Sequence, residues 1–373
     1  MSCERKLTDM FGMAVAPASR RIKRRLQMME QRMATADQGT SMSAIDRFKR
    51  DLDALAPAGT PIGLAVSGGP DSLALLLLAV EARPLGVEAA TVDHVLRPES
   101  RLEAESVAAH CERLGVPHKI LTVKWAEKPA SAIQERARLM RYRLLGDWAR
   151  ERGLTSLLTA HHLDDQAETF LMRLARGSGV KGLAGMRRVS RAQGAPVAVV
   201  RPLLGWHHSE LEAVCAAAGV EAIDDPSNAD DQFERVRVRK ALAAADWLDA
   251  DAIARSAMNL AEADAALTWA TTLEWQRAVK QSGGEIVYDP SDSPREIRRR
   301  IIHRAILALA SEGRGTELRG RELDQILAAL RTGKRATLRG VLCVGGPEWR
   351  FSRAPARRGA QREVSPEVSA VEG

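Results

Sequence analysis

The first half of the chain alternates short apolar runs with longer amphipathic stretches. Four of the apolar runs predict buried strands, because each is short and is bounded by glycine, proline or polar residues. They span residues 62–66, 87–92, 118–123 and 156–160. The stretches between them have apolar residues at helical spacing, and two of these predicted helices end before Gly115 and Gly153. Strands that alternate with helices in this way are typical of a parallel sheet covered by helices on both faces.

The pattern changes in the second half of the chain. A helix at 164–175, a strand at 197–204 and a helix at 208–218 continue the alternation. After about residue 246 the chain is Ala-rich with helical spacing only. It predicts helices at 251–280, 294–310 and 319–330 and a hairpin at 336–351. We therefore predict four segments, namely a flexible basic tail (1–44), an α/β domain with a parallel sheet (45–245), a smaller, mainly helical basic domain (246–363) and a disordered tail (364–373).

Composition narrows the classes of function. Hydrophobic residues make up 45% of the 373 residues and charged residues 28%, as in ordinary soluble proteins. No apolar run reaches the roughly 18 residues of a membrane helix, and the four cysteines are far apart without a CxxC pair. We therefore expect a cytoplasmic protein without a membrane segment, a disulfide framework or a cysteine-bound metal. The net charge of +7 favours a polyanionic partner.

The loop at residues 67–72, Ser-Gly-Gly-Pro-Asp-Ser, follows the first predicted strand and precedes a predicted helix. Backbone N–H groups converge in such a loop and the helix dipole adds positive potential, so this geometry suits an anion. A plain turn in which Asp71 or Ser72 caps the helix is the alternative. The GxxxxGK[ST] and GxGxxG patterns are both missing here, which argues against a Walker-type site and a dinucleotide site.

Polar residues also follow the second and fourth predicted strands. Asp93, His94 and Arg97 follow the second, and residues 159–169 (Thr-Ala-His-His-Leu-Asp-Asp-Gln-Ala-Glu-Thr) follow the fourth. The carboxyl ends of parallel strands lie at one edge of a sheet, which is where ligands bind. We therefore expect the loop at 67–72 and these two clusters to share one rim.

The cluster at residues 159–169 is the densest group of polar residues in the chain. One helical turn separates His161 from Asp165, and another separates Asp165 from Glu168, so these side chains can converge. A capped helix start with partnered histidines is one alternative to a catalytic pocket. A bound zinc ion is another, although the spacing matches no zinc motif.

Together these motifs resemble those of a known enzyme family. Ser-Gly-Gly-x-Asp-Ser is similar to the pyrophosphate loop (PP-loop) of the N-type ATP pyrophosphatases, which cleave ATP between its α and β phosphates. The motifs between residues 60 and 245 also resemble, in order, those of the tRNA(Ile)-lysidine synthetases. The matching segments are residues 67–72, 93–97, 137–142, 159–169, 173–183, 201–204, 225–228 and 235–237.

This resemblance implies an activity. In that family, ATP adenylates the C2 carbonyl oxygen of the first anticodon base, a cytidine, and the amine of free lysine then displaces AMP to give lysidine. The modified base pairs with A instead of G, which changes the tRNA identity from methionine to isoleucine. We therefore expect ATP and Mg²⁺ as cofactors, and L-lysine and tRNA(Ile) with a CAU anticodon as partners.

The resemblance also implies roles for individual residues. The expected ATP-binding residues are Ser67, Gly68, Gly69, Pro70, Asp71 and Ser72, with Mg²⁺ at Asp71. The expected catalytic residues are Asp71, His161, Asp164 and Asp165. The expected contacts to lysine or tRNA are Asp93, His94, Arg97, Arg138, Arg141, His162, Asp225, Asn228, Arg235 and Arg237. Exposed helix charges are the alternative for Arg138 and Arg141, and which residue binds lysine and which acts as base stays open.

The segment 291–363 holds 17 Lys/Arg against 8 Asp/Glu, with clusters at 298–300, 334–335 and 357–358. We expect it to contact the tRNA backbone, with a solvated basic face as the alternative. The oligomeric state is open, and a homodimer is one possibility. Two rival functions stand beside the lysidine reaction. A related PP-loop enzyme such as a tRNA thiolase is disfavoured by the missing CxxC pairs, and a non-catalytic RNA adaptor is disfavoured by the complete loop.

Overall fold

The computed structural model describes residues 42–97, 99–125, 133–191, 196–222, 230–310, 318 and 320–355. Nearly all of the predicted tail at 1–44, all of the tail at 364–373, and Asp225 and Asn228 lie outside these residues. The chain forms two compact units that divide between Ala261 and Glu262. This division lies inside a helix, whereas the predicted domain boundary is near residue 246.

The first unit contains a sheet of six described strands. They are β1 (Ile62–Ala65), β2 (Val87–Asp93), β3 (His118–Thr122), β4 (Ser156–Leu158), β5 (Val189–Arg191) and β6 (Ala198–Val200). The strand order is β3-β2-β1-β4-β6-β5, and every pair is parallel except β5 with β6. The chain runs outward from β1 in both directions. Such a switch point is where open α/β sheets bind ligands at their carboxyl edge.

The described helices of this unit begin with α1, which comes before β1. They are α1 (Ala44–Asp53), α2 (Pro70–Ala82), α3 (Ser100–Leu114), α4 (Ile133–Glu151), α5 (Leu163–Ala175), α6 (Val180–Leu183), α7 (His208–Ala218) and α8 (Glu234–Ala244). Helix α2 is apolar on nearly all sides because it packs against α1, α7 and β1. Its Leu75, Leu76 and Leu78 are at most 1% exposed, and burying each contributes roughly 1.5–3 kcal/mol. The loop before α2 is therefore supported by the core.

Two predicted strands differ from the structure. The strand predicted at 197–204 is the short β6, because Pro202 has no N–H for a strand ladder. The strand predicted at 156–160 ends at Leu158, so His161 and His162 lie in the loop between β4 and α5. Strand β5 was not predicted, since three residues are too few to show an alternating pattern.

The second unit contains a five-stranded antiparallel sheet. Its strands are β7 (Val279–Ser282), β8 (Glu285–Tyr288), β9 (Arg335–Leu338), β10 (Val341–Val344) and β11 (Trp349–Arg353), in the order β7-β8-β11-β10-β9. Its described helices are α10 (Arg295–Leu309) and α11 (Gly320–Arg331), and the long α9 (Ala250–Ala278) spans the division between the units. None of the described helices combines the length and apolar character that a membrane crossing requires.

The predicted hairpin at 336–351 is part of this larger sheet. It comprises the three strands β9, β10 and β11, and a further hairpin joins β7 to β8. The helix predicted to end at Lys280 stops two residues earlier, and Lys280 lies in β7. Gly283 and Gly284 both have positive φ, the conformation of a two-residue hairpin turn. Their Gly-Gly pair was the available signal for this hairpin.

The arginines at 298–300, predicted to contact tRNA, lie on α10 and are largely used inside the unit. Arg300 donates to Asp264 at 2.6 Å and to Glu296 at 2.9 Å, and its side chain is only 14% exposed. Arg299 lies within 3.6 Å of Glu296 and 3.5 Å of Asp324. Arg299 and Arg300 are therefore engaged in ion pairs within the unit, and the prediction that the triplet forms a basic RNA-facing cluster is wrong for Arg300.

Candidate active site

The loop at residues 67–72 folds around the side chain of Ser72. Its Oγ accepts from the backbone N–H groups of Ser67 and Gly68, both at 3.1 Å, and donates to the Gly69 carbonyl at 2.9 Å. Gly68 has φ 95°, a conformation that favours glycine. Ser72 is 5% exposed. It therefore holds the loop in shape from within, which differs from the direct phosphate contact that the resemblance implies.

The start of α2 is open to a ligand. Gly69 is the N-cap, Pro70 occupies the first turn, and no side chain of the described residues caps the helix. A Cβ placed on Gly69 would meet only the Ser67 Oγ, at 4.0 Å. The loop therefore does not form the turn with a side-chain cap from Asp71 or Ser72 that was the alternative to an anion site. The uncapped N–H groups and the dipole of α2 suit an anion.

Asp71 connects this loop to two histidines. Its Oδ1 lies 2.7 Å from the Nδ1 of His208 at the start of α7, and its Oδ2 lies 3.6 Å from the Nε2 of His162. The two imidazole rings stack with their centroids 5.4 Å apart. His208 was not predicted as a site residue. The His207-His208 pair at the start of a predicted helix was the only signal for it.

His162 is 4% exposed and lies among three carboxylates. Its Nδ1 is 3.3 Å from Asp164 Oδ2, and its Nε2 is 3.5 Å from Asp165 Oδ2. Burial opposes the charged imidazole, but Asp164, Asp165 and Asp71 outweigh burial and raise the pKa of His162. The protonated form of His162 is therefore more stable than that of an ordinary histidine.

Two of the carboxylates around His162, Asp164 and Asp165, have lowered pKa values. Burial acts to raise the pKa of Asp164, but His162 and the His208 backbone N–H, which donates at 2.8 Å, lower it well below its ordinary range. The pKa of Asp165 is lowered against burial in the same way, mainly by His162 and His161. Paired acids and bases of this kind are frequent at functional sites.

His161 behaves in the opposite way from its neighbour His162. Burial lowers the pKa of His161; Asp165 opposes this shift, and Arg201, Arg138 and Arg235 add to it. Its Nδ1 lies 2.8 Å from the Thr159 Oγ1. The pKa values of these two neighbouring histidines are therefore shifted in opposite directions, and three arginines contribute to the lowered pKa of His161.

Helices α5 and α8 are joined by ion pairs at Glu168. This carboxylate is 1% exposed and lies 2.6 Å from Arg239 Nε and 3.2 Å from Arg235 Nε. Arg235 also approaches Asp165, at 3.7 Å. Arg237 instead donates to two backbone carbonyls in the turn before α8. Of the two arginines predicted here, the structure brings only Arg235 to the rim, and no role was predicted for Glu168 or Arg239.

The residues after β2 form a separate part of the rim. Asp93 is 5% exposed and accepts from the Val95 N–H at 2.9 Å and the Ser100 hydroxyl at 2.8 Å. It thereby fixes the loop in which Val95 has φ 54°. Arg97 pairs with Glu103 at 3.2 Å. Asp93 therefore stabilises the conformation of this loop through these two hydrogen bonds.

The predicted arginines of α4 have different neighbours. Arg141 Nε lies 3.4 Å from His94 Nε2, and burial together with Arg141 lowers the pKa of His94 to about 4. Arg138 lies over the Tyr142 ring at 5.1 Å and contributes to the low pKa of His161. Arg138 thus belongs to the surroundings of His161, and Arg141 to those of His94.

Comparison with known proteins identifies the family of this site. The family model of the PP-loop domain matches residues 43–245. The tRNA(Ile)-lysidine synthase of Novosphingobium aromaticivorans is 47% identical over 327 residues, covering 87% of this chain and 98% of that protein. The same enzyme of Zymomonas mobilis is 43% identical over 307 residues, covering 82% and 92%. The chain belongs to the tRNA(Ile)-lysidine synthase family.

Solved structures support the fold of the first unit. The U34-tRNA thiolase NcsA of Methanococcus maripaludis, which has a [4Fe-4S] cluster, matches with a TM-score of 0.50 at 18% identity. The match covers 58% of this chain and 78% of that chain. The predicted fold class, a parallel-sheet PP-loop domain followed by a smaller, mainly helical domain, is confirmed, and the second unit adds an antiparallel sheet to its helices. The predicted family and ATP-dependent ligase class are also confirmed.

The rim also contains a possible cation site. Among the described residues, Asp71, His162 and His208 each offer one ligand atom, and these atoms lie within 4.8 Å of one another. Members of PP-loop families use ATP, and Mg²⁺ commonly binds to one or two carboxylates together with substrate phosphates. Asp71 fits that single-carboxylate role. The two imidazoles do not suit Mg²⁺, because they are ligands for zinc-class metals.

Proposed function

We propose that the protein forms lysidine on the CAU anticodon of tRNA(Ile), with ATP and free L-lysine as substrates. The observation that carries the proposal is identity of 47% across nearly the whole length of a tRNA(Ile)-lysidine synthase. It is supported by the uncapped PP-loop at the start of α2, which lies beside β1 at the switch point of the sheet.

In the first step, the C2 carbonyl oxygen of the cytidine attacks the α-phosphorus of ATP. The bond between the α-phosphorus and the α,β-bridging oxygen breaks, and pyrophosphate leaves with the electron pair. The N-terminus of α2 stabilises the negative charge of the phosphates. Mg²⁺ held by Asp71 would supply additional positive charge there. The histidine that approaches Asp71 most closely, His208, keeps the Asp71 carboxylate oriented at the loop.

In the second step, the lysine amine attacks C2, the bond from C2 to the adenylated oxygen breaks, and AMP leaves. The attacking nitrogen must lose a proton. Asp164 has a 32% exposed side chain and an ionised carboxylate, so it suits the incoming ammonium group. Burial and the nearby arginines lower the pKa of His161 to about 3, so it is a weak proton acceptor. We assign the binding of the ammonium group to Asp164, and the proton of the attacking nitrogen leaves to solvent.

The second unit supports a contact with the tRNA body. Strand pairing aligns Lys280, Val287, Arg350, Val344 and Arg335 in one row across the five strands. Residues paired in register share a face, and the three basic side chains of this row are exposed. The opposite face is buried, with Tyr288 and Phe351 fully covered.

This basic row fits a phosphate backbone. Alternate strands lie about 10 Å apart, so Lys280, Arg350 and Arg335 form an evenly spaced line of positive charge. Arg350 is paired with Glu285 at 3.5 Å and Glu348 at 3.2 Å. Lys280 and Arg335 form no ion pair with any described residue, so they are the stronger candidates for phosphate contacts.

An adenylation assay tests the proposed function. The protein is incubated with ATP labelled in its α-phosphate and with tRNA(Ile) transcript that has a CAU anticodon, without lysine. We expect label to enter the RNA and to leave as AMP when lysine is added. A transcript with uridine in place of the anticodon cytidine is the control and should stay unlabelled. Equal labelling of both transcripts, or of neither, would contradict the proposal.

A further inference from the structure

The residues around Asp71 have the arrangement of a zinc-class metal site. Asp71 comes from α2, His162 from the loop before α5, and His208 from α7. Because the three are far apart in sequence, no motif spacing could reveal them. Only His162 belongs to the cluster at 159–169, whose spacing argued against zinc. We propose that Asp71, His162 and His208 bind a zinc-class divalent cation when no nucleotide occupies the loop.

The distances fit such a site. Zinc binds imidazole nitrogen and carboxylate oxygen at about 2.0–2.2 Å, so two ligand atoms of a tetrahedral site lie about 3.4 Å apart. The His208 Nδ1 and Asp71 Oδ1 are 2.7 Å apart, and the His162 Nε2 and Asp71 Oδ2 are 3.6 Å apart. With one ligand atom from each residue, all three atoms lie within 4.8 Å of one another, so a modest adjustment of the side chains brings them to tetrahedral spacing.

Each histidine has a second carboxylate near its other ring nitrogen. The His162 Nδ1, on the far side of its ring from Asp71, lies 3.3 Å from Asp164. The His208 Nε2, likewise on the far side, lies 3.4 Å from Glu212 Oε1. A carboxylate that holds the non-ligating nitrogen is the usual support of a metal-bound histidine, since it fixes the ring and raises its basicity. A carboxylate within 3.4 Å of the second nitrogen of each ring, placed to give this support when a cation is bound, distinguishes this cluster from an ordinary ion pair.

The site is anchored and also accessible. The His162 side chain is 5% exposed, whereas those of Asp71 and His208 are 28% and 42% exposed. Three protein ligands leave a fourth position open, as in zinc sites that accept a further ligand. Since Asp71 also belongs to the ATP-binding loop, we expect zinc and Mg²⁺-ATP to compete for the protein.

The test is a zinc titration of the full chain by calorimetry, after removal of metals with a chelator and without nucleotide or tRNA. We expect one tightly bound equivalent. His208→Gln should lose this binding, and Glu212→Gln, which keeps all three ligands, should weaken it roughly 10- to 100-fold. Cobalt should give the visible absorption of a tetrahedral site. The matched control is His110→Gln, on α3, which should bind zinc as the unchanged protein does.

Two outcomes would overturn the proposal, namely no tight zinc equivalent in the unchanged protein, or equally tight binding by His208→Gln and Glu212→Gln. Circular dichroism of each variant separates loss of ligand from loss of fold, and Glu212→Gln is a surface change that should leave the fold intact. The proposal does not depend on lysidine formation. A protein that binds zinc but never labels tRNA would contradict only the proposed function.

Discussion

Two groups of charged residues, at 159–169 and at 298–300, have opposite roles in the two units. In the first unit, His161, His162, Asp164 and Asp165 lie at the rim of the sheet beside the PP-loop, and their interactions shift their pKa values in different directions. In the second unit, Arg300 is paired with two carboxylates and nearly covered. From the sequence, both groups were predicted to bind a ligand.

The two groups have different roles because the fold gives them different neighbours. The residues at 159–169 follow a strand, so the fold directs them to an edge where other loops meet. The arginines at 298–300 lie within a helix that packs on a sheet, and a helix of that kind has a buried face. A run of charge therefore predicts a binding surface only when its position in the fold leaves it without internal partners.

The largest expected effect concerns the ion pair between Arg300 and Asp264 in the second unit. Arg300→Met removes the ion pair with Asp264, in which both side chains are mostly buried, so we expect a loss of about 3 kcal/mol in the free energy of unfolding. Urea denaturation measures it. Arg335→Met is the matched control and should change stability by less than about 0.5 kcal/mol. Equal small effects for both variants would show that Arg300 is a surface charge after all.

A smaller loss is expected at Ser72, inside the PP-loop. Ser72→Ala removes the acceptor for two backbone N–H groups and should cost about 1–3 kcal/mol of stability. It should also weaken ATP binding, because the loop loses its internal support. Thermal denaturation and ATP titration measure the two effects. Full stability with weakened ATP binding would instead indicate that the hydroxyl contacts the phosphates directly.

Substitutions in the basic row of Lys280, Arg350 and Arg335 should change tRNA binding and leave stability unchanged. Replacing Lys280 and Arg335 together by Gln should weaken tRNA binding and make its salt dependence shallower by about 1 for each residue. ATP binding should not change. Filter binding at several salt concentrations provides the slope. Arg101→Gln, at an exposed arginine on α3, is the control outside the row and should leave the slope unchanged. An unchanged slope in the double variant would refute the assignment.

The smallest expected effect is the change of stability with pH that the histidines of the rim cause. The pKa of His162 is raised in the folded state, so its stabilising contribution is complete below its ordinary pKa of about 6.5 and is lost as the pH rises through the folded value. His208 acts in the same direction. We therefore expect stability to fall as the pH rises above about 6.5, and to fall less in His162→Gln. An identical slope in both proteins would contradict the raised pKa.

Much of the first unit was predictable because its signals are local. Alternating apolar runs and helix-stopping glycines gave the order of strands and helices, and the strand ends gave the rim. The PP-loop was recognisable because its chemistry is contained in six consecutive residues. His208, Arg239 and the structural role of Ser72 were not predictable, since each depends on contacts between segments that only the fold brings together.

The second unit was less predictable from its sequence. Five strands of four or five residues each give little alternation, and β7 begins directly after α9. Its helices had a stronger pattern because they bury continuous apolar stripes, such as Ile297, Ile301 and Ile302. The ion pairs of Arg300 required knowledge of which carboxylates lie next to α10, and Asp264 is 36 residues away in sequence.

The most direct test of the central claim is the incorporation of labelled lysine into tRNA(Ile) with a CAU anticodon, in the presence of ATP and Mg²⁺. We predict that the protein transfers one lysine to each tRNA, and that Asp71→Asn lowers the rate by about 100-fold or more because the PP-loop loses its carboxylate. Failure of lysine to enter the RNA under these conditions would contradict the account.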